Sequence, residues 1–121
     1  MKVGFIGLGN VGGKLSGSLL RNGFDLTVRD LDKSIAEPFL DQGAHWADSP
    51  KAMAERVDMI ITCLPSPAAS AAVMEADDGI LAGLKPGKIW AEMSTTDEAE
   101  VRRLGDLVKA RGGEPIDCPV S

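Results

Sequence analysis

The residues best placed to do chemistry in this sequence are glycines backed by one carboxylate. Gly7-Leu8-Gly9-Asn10-Val11-Gly12 follows a short apolar run, Lys2 to Ile6, and precedes a stretch with apolar positions at Val11, Leu15, Leu19 and Leu20. G-x-G-x-x-G is a weak pattern alone and an informative one between a strand and a helix. The first Gly permits a tight turn, the second lets backbone approach a pyrophosphate without a Cβ, and the third lets the helix pack closely on the strand. The free N–H groups of Asn10 and Val11 then face an anion, helped by the helix dipole. Asp30 stands about twenty residues further on, at the end of a second apolar run. A carboxylate there accepts hydrogen bonds from both ribose hydroxyls of an adenosine and repels a 2′-phosphate. Asp32 adds negative charge beside it. Arg29 could reach a 2′-phosphate, although strand alternation points it away from Asp30. The bland alternative is a Gly-rich structural turn with Asp30 as a turn residue. The pattern as a whole predicts a dinucleotide site that takes NAD in preference to NADP.

Other chemistry is poorly supplied. Gly12-Gly13-Lys14 hints at a nucleoside-triphosphate loop, but that loop needs Gly where Leu8 stands and Ser or Thr where Leu15 stands. Lys14 reads instead as a solvated helix residue. One His and the lack of a C-x-x-C spacing argue against zinc. Cys63 and Cys118 sit in or at the end of apolar runs and read as buried, reduced thiols, consistent with a cytoplasmic protein.

The elements that must position these residues alternate. Apolar periodicity predicts a helix over 10–21, ended by Asn22-Gly23, and a strand at 26–28. A helix over 34–42 contains Pro38, which limits or bends it. A weak strand covers 44–47. Ser49-Pro50 caps and starts a helix to about Arg56. Asp58 to Leu64 is a continuous apolar strand, as expected where both faces are covered. Pro65-Ser66-Pro67 breaks the chain before a helix over 68–74. A helical turn over 80–84, a strand over 88–93, a capping box at Thr95-Thr96-Asp97-Glu98, a helix to about Arg111 and a strand over 115–118 complete the order. Six strands alternating with helices predict an α/β, Rossmann-type doubly wound sheet, mainly parallel, with helices on both faces. The ligand belongs across the carboxyl ends of the strands.

With 121 residues, the chain suffices for one dinucleotide-binding domain, 1–121. Its net charge of −5 and the absence of a Lys/Arg cluster argue against nucleic acid. No apolar run approaches the length of a membrane span, and the opening residues are too Gly-rich for a signal peptide.

Four segments together resemble the β-hydroxyacid dehydrogenases, the family of 3-hydroxyisobutyrate dehydrogenase, tartronate semialdehyde reductase and, more distantly, 6-phosphogluconate dehydrogenase. They are Gly4 to Gly12, Ile61-Thr62-Cys63-Leu64-Pro65, Glu92-Met93-Ser94-Thr95-Thr96 and Asp117-Cys118-Pro119-Val120-Ser121. The resemblance implies that Leu64 and Pro65 line the cofactor site and that Thr95 lies near the nicotinamide ribose. It also implies that Ser121 begins a Ser-Gly-Gly that holds the substrate carboxylate. Val11 and Leu15 stand where the family commonly has Met, and Ala69 stands where it often has Asn, so one cofactor contact is lost. NADP-preferring members carry Asn-Arg-Ser or Asn-Arg-Thr where this chain reads Asp30-Leu31-Asp32.

The family's catalytic Lys lies beyond Ser121, so no residue of this chain takes that role, and the helical catalytic and dimerisation domain is expected to be absent. The implied parent is a homo-oligomeric NAD-dependent 3-hydroxyacid dehydrogenase. A chain of this extent is expected to bind cofactor without turnover and to expose apolar surface around its last strand. A regulatory NAD-sensing module shares the glycines and Asp30 but has no need of Ser94-Thr95 or the terminal segment. A same-fold reductase acting on another substrate, such as an imine or a long-chain hydroxyacyl group, remains an alternative.

Overall fold

A computed structural model describes residues 1–93 and 98–117, excluding the side chains of Asn10 and Asp117. Six parallel strands form one sheet in the order β3-β2-β1-β4-β5-β6. They are β1 (Lys2–Ile6), β2 (Asp25–Arg29), β3 (His45–Trp46), β4 (Met59–Thr62), β5 (Ile89–Glu92) and β6 (Glu114–Asp117). The helices are α1 (Asn10–Arg21), α2 (Lys33–Asp41), α3 (Pro50–Arg56), α4 (Pro67–Glu75), α5 (Ile80–Gly83) and α6 (Glu98–Ala110). The order reverses between β1 and β4, which is where a doubly wound sheet opens a crevice for a ligand.

Alternation along the strands divides the apolar side chains between two cores. On one face Val3, Phe5, Leu26 and Val28 pack with Ala36 of α2 and with Leu15 and Leu19 of α1. On the other, Ile60 and Trp90 pack with Met53 of α3, Met74 of α4, Ile80 of α5 and Leu104 and Val108 of α6. Burying such side chains contributes roughly 1.5–3 kcal/mol each. Local chemistry sets the helix starts. Ser49 Oγ accepts from the Ala52 N–H at 3.0 Å, and Ser66 Oγ accepts from the Ala69 N–H at 3.1 Å, each with Pro next in the chain. Pro65-Ser66-Pro67, expected only to break the chain, therefore also starts a helix by the same device as Ser49-Pro50.

α2 begins one residue earlier than expected because Asp32 caps it, its Oδ1 accepting from the Ser34 N–H at 3.0 Å. Bonds from the Ser34 hydroxyl and then its N–H hold the Asp32 carboxyl below its usual range. Pro38 sits inside α2 without ending it. The capping box at 95–98 and Cys118 lie outside the described residues, apart from Glu98, which opens α6. Ile116 of β6 is 39% exposed.

Candidate cofactor cleft

An open cleft of about 690 Å³ lies over the carboxyl ends of β1, β2 and β4. Its walls include Gly7, Gly9, Val11 and Gly12 from the glycine turn and Asp30 and Leu31 from the end of β2. Cys63, Leu64 and Pro65 follow β4, and Ala69, Ala72 and Val73 face in from α4.

The three glycines do different work. Gly7 has φ +100°, and a Cβ there would stand 2.1 Å from the Cys63 carbonyl oxygen. Only Gly turns the chain at that point beside β4. A Cβ on Gly12 would stand 1.9 Å from the Gly7 carbonyl oxygen and 3.1 Å from the Phe5 ring, so α1 can begin this close to β1 only without a side chain. A Cβ on Gly9 would meet nothing within 4 Å and would point into open space. Gly9 is the residue before α1, and it offers no side-chain cap. The first bonded amide is that of Gly13, which reaches the Gly9 carbonyl at 2.6 Å. The N–H groups of Asn10, Val11 and Gly12 have no carbonyl one turn earlier in the helix to take them. A helix start with free donors, positive dipole and no side chain in front of it fits a diphosphate.

Asp30 links this turn to β2. Its Oδ2 accepts from the Leu8 N–H at 2.8 Å and its Oδ1 from the Asp32 N–H at 3.1 Å. The Gly7 N–H reaches the Arg29 carbonyl at 3.1 Å, so two bonds tie the glycine turn to the end of β2. A carboxylate has about four acceptor positions, and two remain for hydroxyl donors. The bland role of Asp30 and its binding role are thus compatible. Arg29 lines the cleft, but its Nη1 donates to the Ala47 carbonyl at 2.8 Å, and its guanidinium lies 5.5 Å from the Trp46 ring centre. Lys33 lies 5.3 Å from the same ring. Leu31 is 100% exposed at the cleft mouth.

Leu64 and Pro65 stand on the cleft wall. Leu8 is buried in the core beneath the turn and offers its N–H to Asp30, so it supports the site from behind. Ala69 faces the cleft, which places the Asn-to-Ala departure on the cleft wall. Thr95 and Ser121 lie outside the described residues, as does the side chain of Asn10. Residues not anticipated are Leu31, Cys63, Ala72 and Val73. The helical spacing of Ala69, Ala72 and Val73 was the signal available for the wall of α4. The Cys63 thiol is pushed up, first by burial and then by the negative charge of Glu92. A smaller groove of about 200 Å³ runs between α6 and β6, lined by residues that include Val101, Arg102 and Ile116, away from the glycine turn. Among the described residues no cluster of His, Cys, Asp and Glu could hold a metal ion.

A free helix start, an open glycine and an acid at the end of β2 meet in one cleft over the point of strand reversal. A family model, the NAD binding domain of 6-phosphogluconate dehydrogenase, matches residues 2–121. The chain belongs to this family. It is 37% identical over 119 residues to a probable mitochondrial 3-hydroxyisobutyrate dehydrogenase of Dictyostelium discoideum, covering 98% of the chain and 37% of that relative. It is 32% identical to the human cytokine-like nuclear factor N-PAC, over 99% of the chain and 22% of that protein. A solved structure of Psf3 in complex with NADP+ and 2-OPP superposes with a TM-score of 0.93 at 31% identity, over 98% of the chain and 42% of its own.

The chain is thus an NAD(P)-binding domain of dehydrogenase type, and it spans little more than a third of the first of these relatives. No described helix is long and apolar enough to cross a membrane. The relative named mitochondrial leaves the cytoplasmic expectation an expectation.

Proposed function

We propose that this chain is the cofactor-binding domain, residues 1–121, of an NAD-dependent oxidoreductase that moves a hydride between nicotinamide and a 3-hydroxy acid. The observation that carries the cofactor half is Gly9, whose missing side chain leaves the amide donors of α1 open to the cleft that also holds Asp30. The diphosphate takes the N–H groups of Asn10, Val11 and Gly12. The adenosine ribose takes the free acceptor positions of Asp30. Leu31 and the small side chains of α4 offer apolar surface on either side of the cleft mouth. Nicotinamide supplies the redox chemistry when bound, and the chain binds and orients it.

NAD is favoured over NADP because Asp30 places a negative charge where a 2′-phosphate would go. Arg29 is engaged by Ala47 and Trp46 rather than extended toward that position. The hydroxy-acid substrate rests on the likeness to 3-hydroxyisobutyrate dehydrogenase. Thr95 and Ser121 are proposed to approach the nicotinamide ribose and the substrate carboxylate. The proton step is assigned to a Lys outside this chain, in a helical domain that also builds a homo-oligomer. The 121 residues alone bind cofactor and turn over nothing. An NAD-sensing regulatory module is the second reading, favoured by the likeness to a protein named a nuclear factor.

Calorimetric titration with NADH and NADPH tests the cofactor assignment. Tighter binding of NADH supports it, and tighter binding of NADPH places Arg29 or Lys33 on the 2′-phosphate and overturns it. Turnover of 3-hydroxyisobutyrate and NAD by these residues alone would refute the proposed division of labour.

A further inference from the structure

Trp46 ends β3, the edge strand beside β2, level with Val28, the residue before Arg29. Its half-buried ring packs against the core that contains Leu26, Val28 and Ala36, which anchors it while part of it stays open. Two cations lie over that ring. The Arg29 guanidinium is 5.5 Å from its centre and the Lys33 ammonium 5.3 Å. Both are inside the roughly 6 Å over which an indole face attracts a positive charge. Arg29 Nη1 also donates to the carbonyl of Ala47, the next residue in the chain, at 2.8 Å. The short segment Trp46-Ala47 therefore holds the guanidinium twice.

The two cations bracket Asp30. Arg29 precedes it at the end of β2, and Lys33 opens α2 just beyond it. Arg29 lines the cleft, as Asp30 does. A guanidinium stays charged and carries five N–H donors. Its position alone decides whether it meets a phosphate on the ribose that Asp30 holds. We propose that Trp46 is a positioning residue for cofactor specificity, whose ring withholds Arg29 and Lys33 from the 2′-phosphate position and so sharpens the preference for NAD over NADP. The inference rests on the cofactor assignment above, in which Asp30 takes the adenosine ribose. Asp30 acts by repelling the phosphate. Trp46 acts by keeping away the charges that would offset that repulsion.

The test is calorimetry of the unsubstituted chain, Trp46→Leu and Trp46→Phe with NADH and NADPH. Leu keeps an apolar group against the core without a π face, and Phe keeps the face. In Trp46→Leu the NADPH to NADH affinity ratio is expected to rise about three- to tenfold, with Trp46→Phe close to the parent ratio. An unchanged ratio in folded Trp46→Leu overturns the proposal. So does a fall, which would make Trp46 a platform that presents both cations to the phosphate. An equal rise in Trp46→Phe also overturns it, because shape rather than the π face would then matter. Failure of both cofactors to bind the unsubstituted chain would instead remove the cofactor assignment itself. If Trp46→Leu does not fold, Arg29→Met takes its place. Loss of a withheld guanidinium leaves the ratio within about twofold, and a larger fall overturns the proposal.

Discussion

Methyl groups added at Gly9 and Gly12 should fail in opposite ways. At Gly12 the new Cβ stands 1.9 Å from a backbone oxygen of Gly7, and no flexible side chain can yield. Overpacking of this kind costs up to about 3 kcal/mol. Replacing a helical Gly by Ala returns about 1 kcal/mol of propensity. Gly12→Ala should thus destabilise the domain by about 2 kcal/mol, a fall in Tm of roughly 5–10 °C for a chain of this size.

At Gly9 the backbone has φ −66° and ψ −164°, which Ala adopts without strain, and the Cβ meets nothing. Ala is a poorer residue than Gly before a helix by about 0.5–1 kcal/mol. A similar gain of about 0.4–1 kcal/mol comes from the less flexible unfolded chain. Gly9→Ala should leave Tm nearly unchanged. Its methyl, however, occupies the approach to the α1 amides. Each hydrogen bond to a charged group is worth about 1.5–3 kcal/mol, so loss of one weakens NADH by about tenfold or more. Differential scanning calorimetry and NADH titration of both variants separate the two effects. A Gly9→Ala variant that binds NADH normally, or a Gly12→Ala variant as stable as the parent, would refute the reasoning.

Asp30→Ala removes the acceptor for the Leu8 N–H and the proposed ribose partner. It should cost about 1–2 kcal/mol of stability, weaken NADH at least about tenfold and raise the NADPH to NADH affinity ratio, as read by fluorescence titration. Thr62→Val keeps the shape but leaves the buried Trp90 N–H without its partner and takes a donor from Glu92. A loss of about 2–4 kcal/mol in urea unfolding is expected, and less than 1 would contradict these bonds. Cys63, with its thiol pushed up, is protonated at neutral pH and forms thiolate only as the pH rises above the ordinary cysteine range. Its alkylation by iodoacetamide at pH 8, followed by peptide mass spectrometry, should be slower than that of a free cysteine. NADH should slow it further, and Glu92→Gln should speed it.

The glycine turn and α1 were legible because their signals are local. Positive φ, helical spacing and an adjacent apolar strand all sit within residues 2–21. The sheet order followed from alternation of strands and helices, since parallel strands need crossovers. What was missed depends on distant partners. Asp32 read as a charge beside the cofactor, whereas its hydrogen bond to Ser34 makes it the cap of α2. Ala72 and Val73 are too plain to reveal by type that α4 turns them toward the cleft. Glu92 sits in an apolar run, and its partner Thr62 is on a different strand. Nothing near it in sequence announces a buried carboxylate.

Amide chemical shifts tracked during an NADH titration of isotopically labelled protein test the central claim most directly. The account predicts the largest changes at the N–H groups of Asn10, Val11 and Gly12, with further changes at Asp30, Leu31, Cys63, Leu64 and Ala69, all five on the cleft wall. No change at these amides, or changes confined to the groove between α6 and β6 around Val101, Arg102 and Ile116, would contradict it.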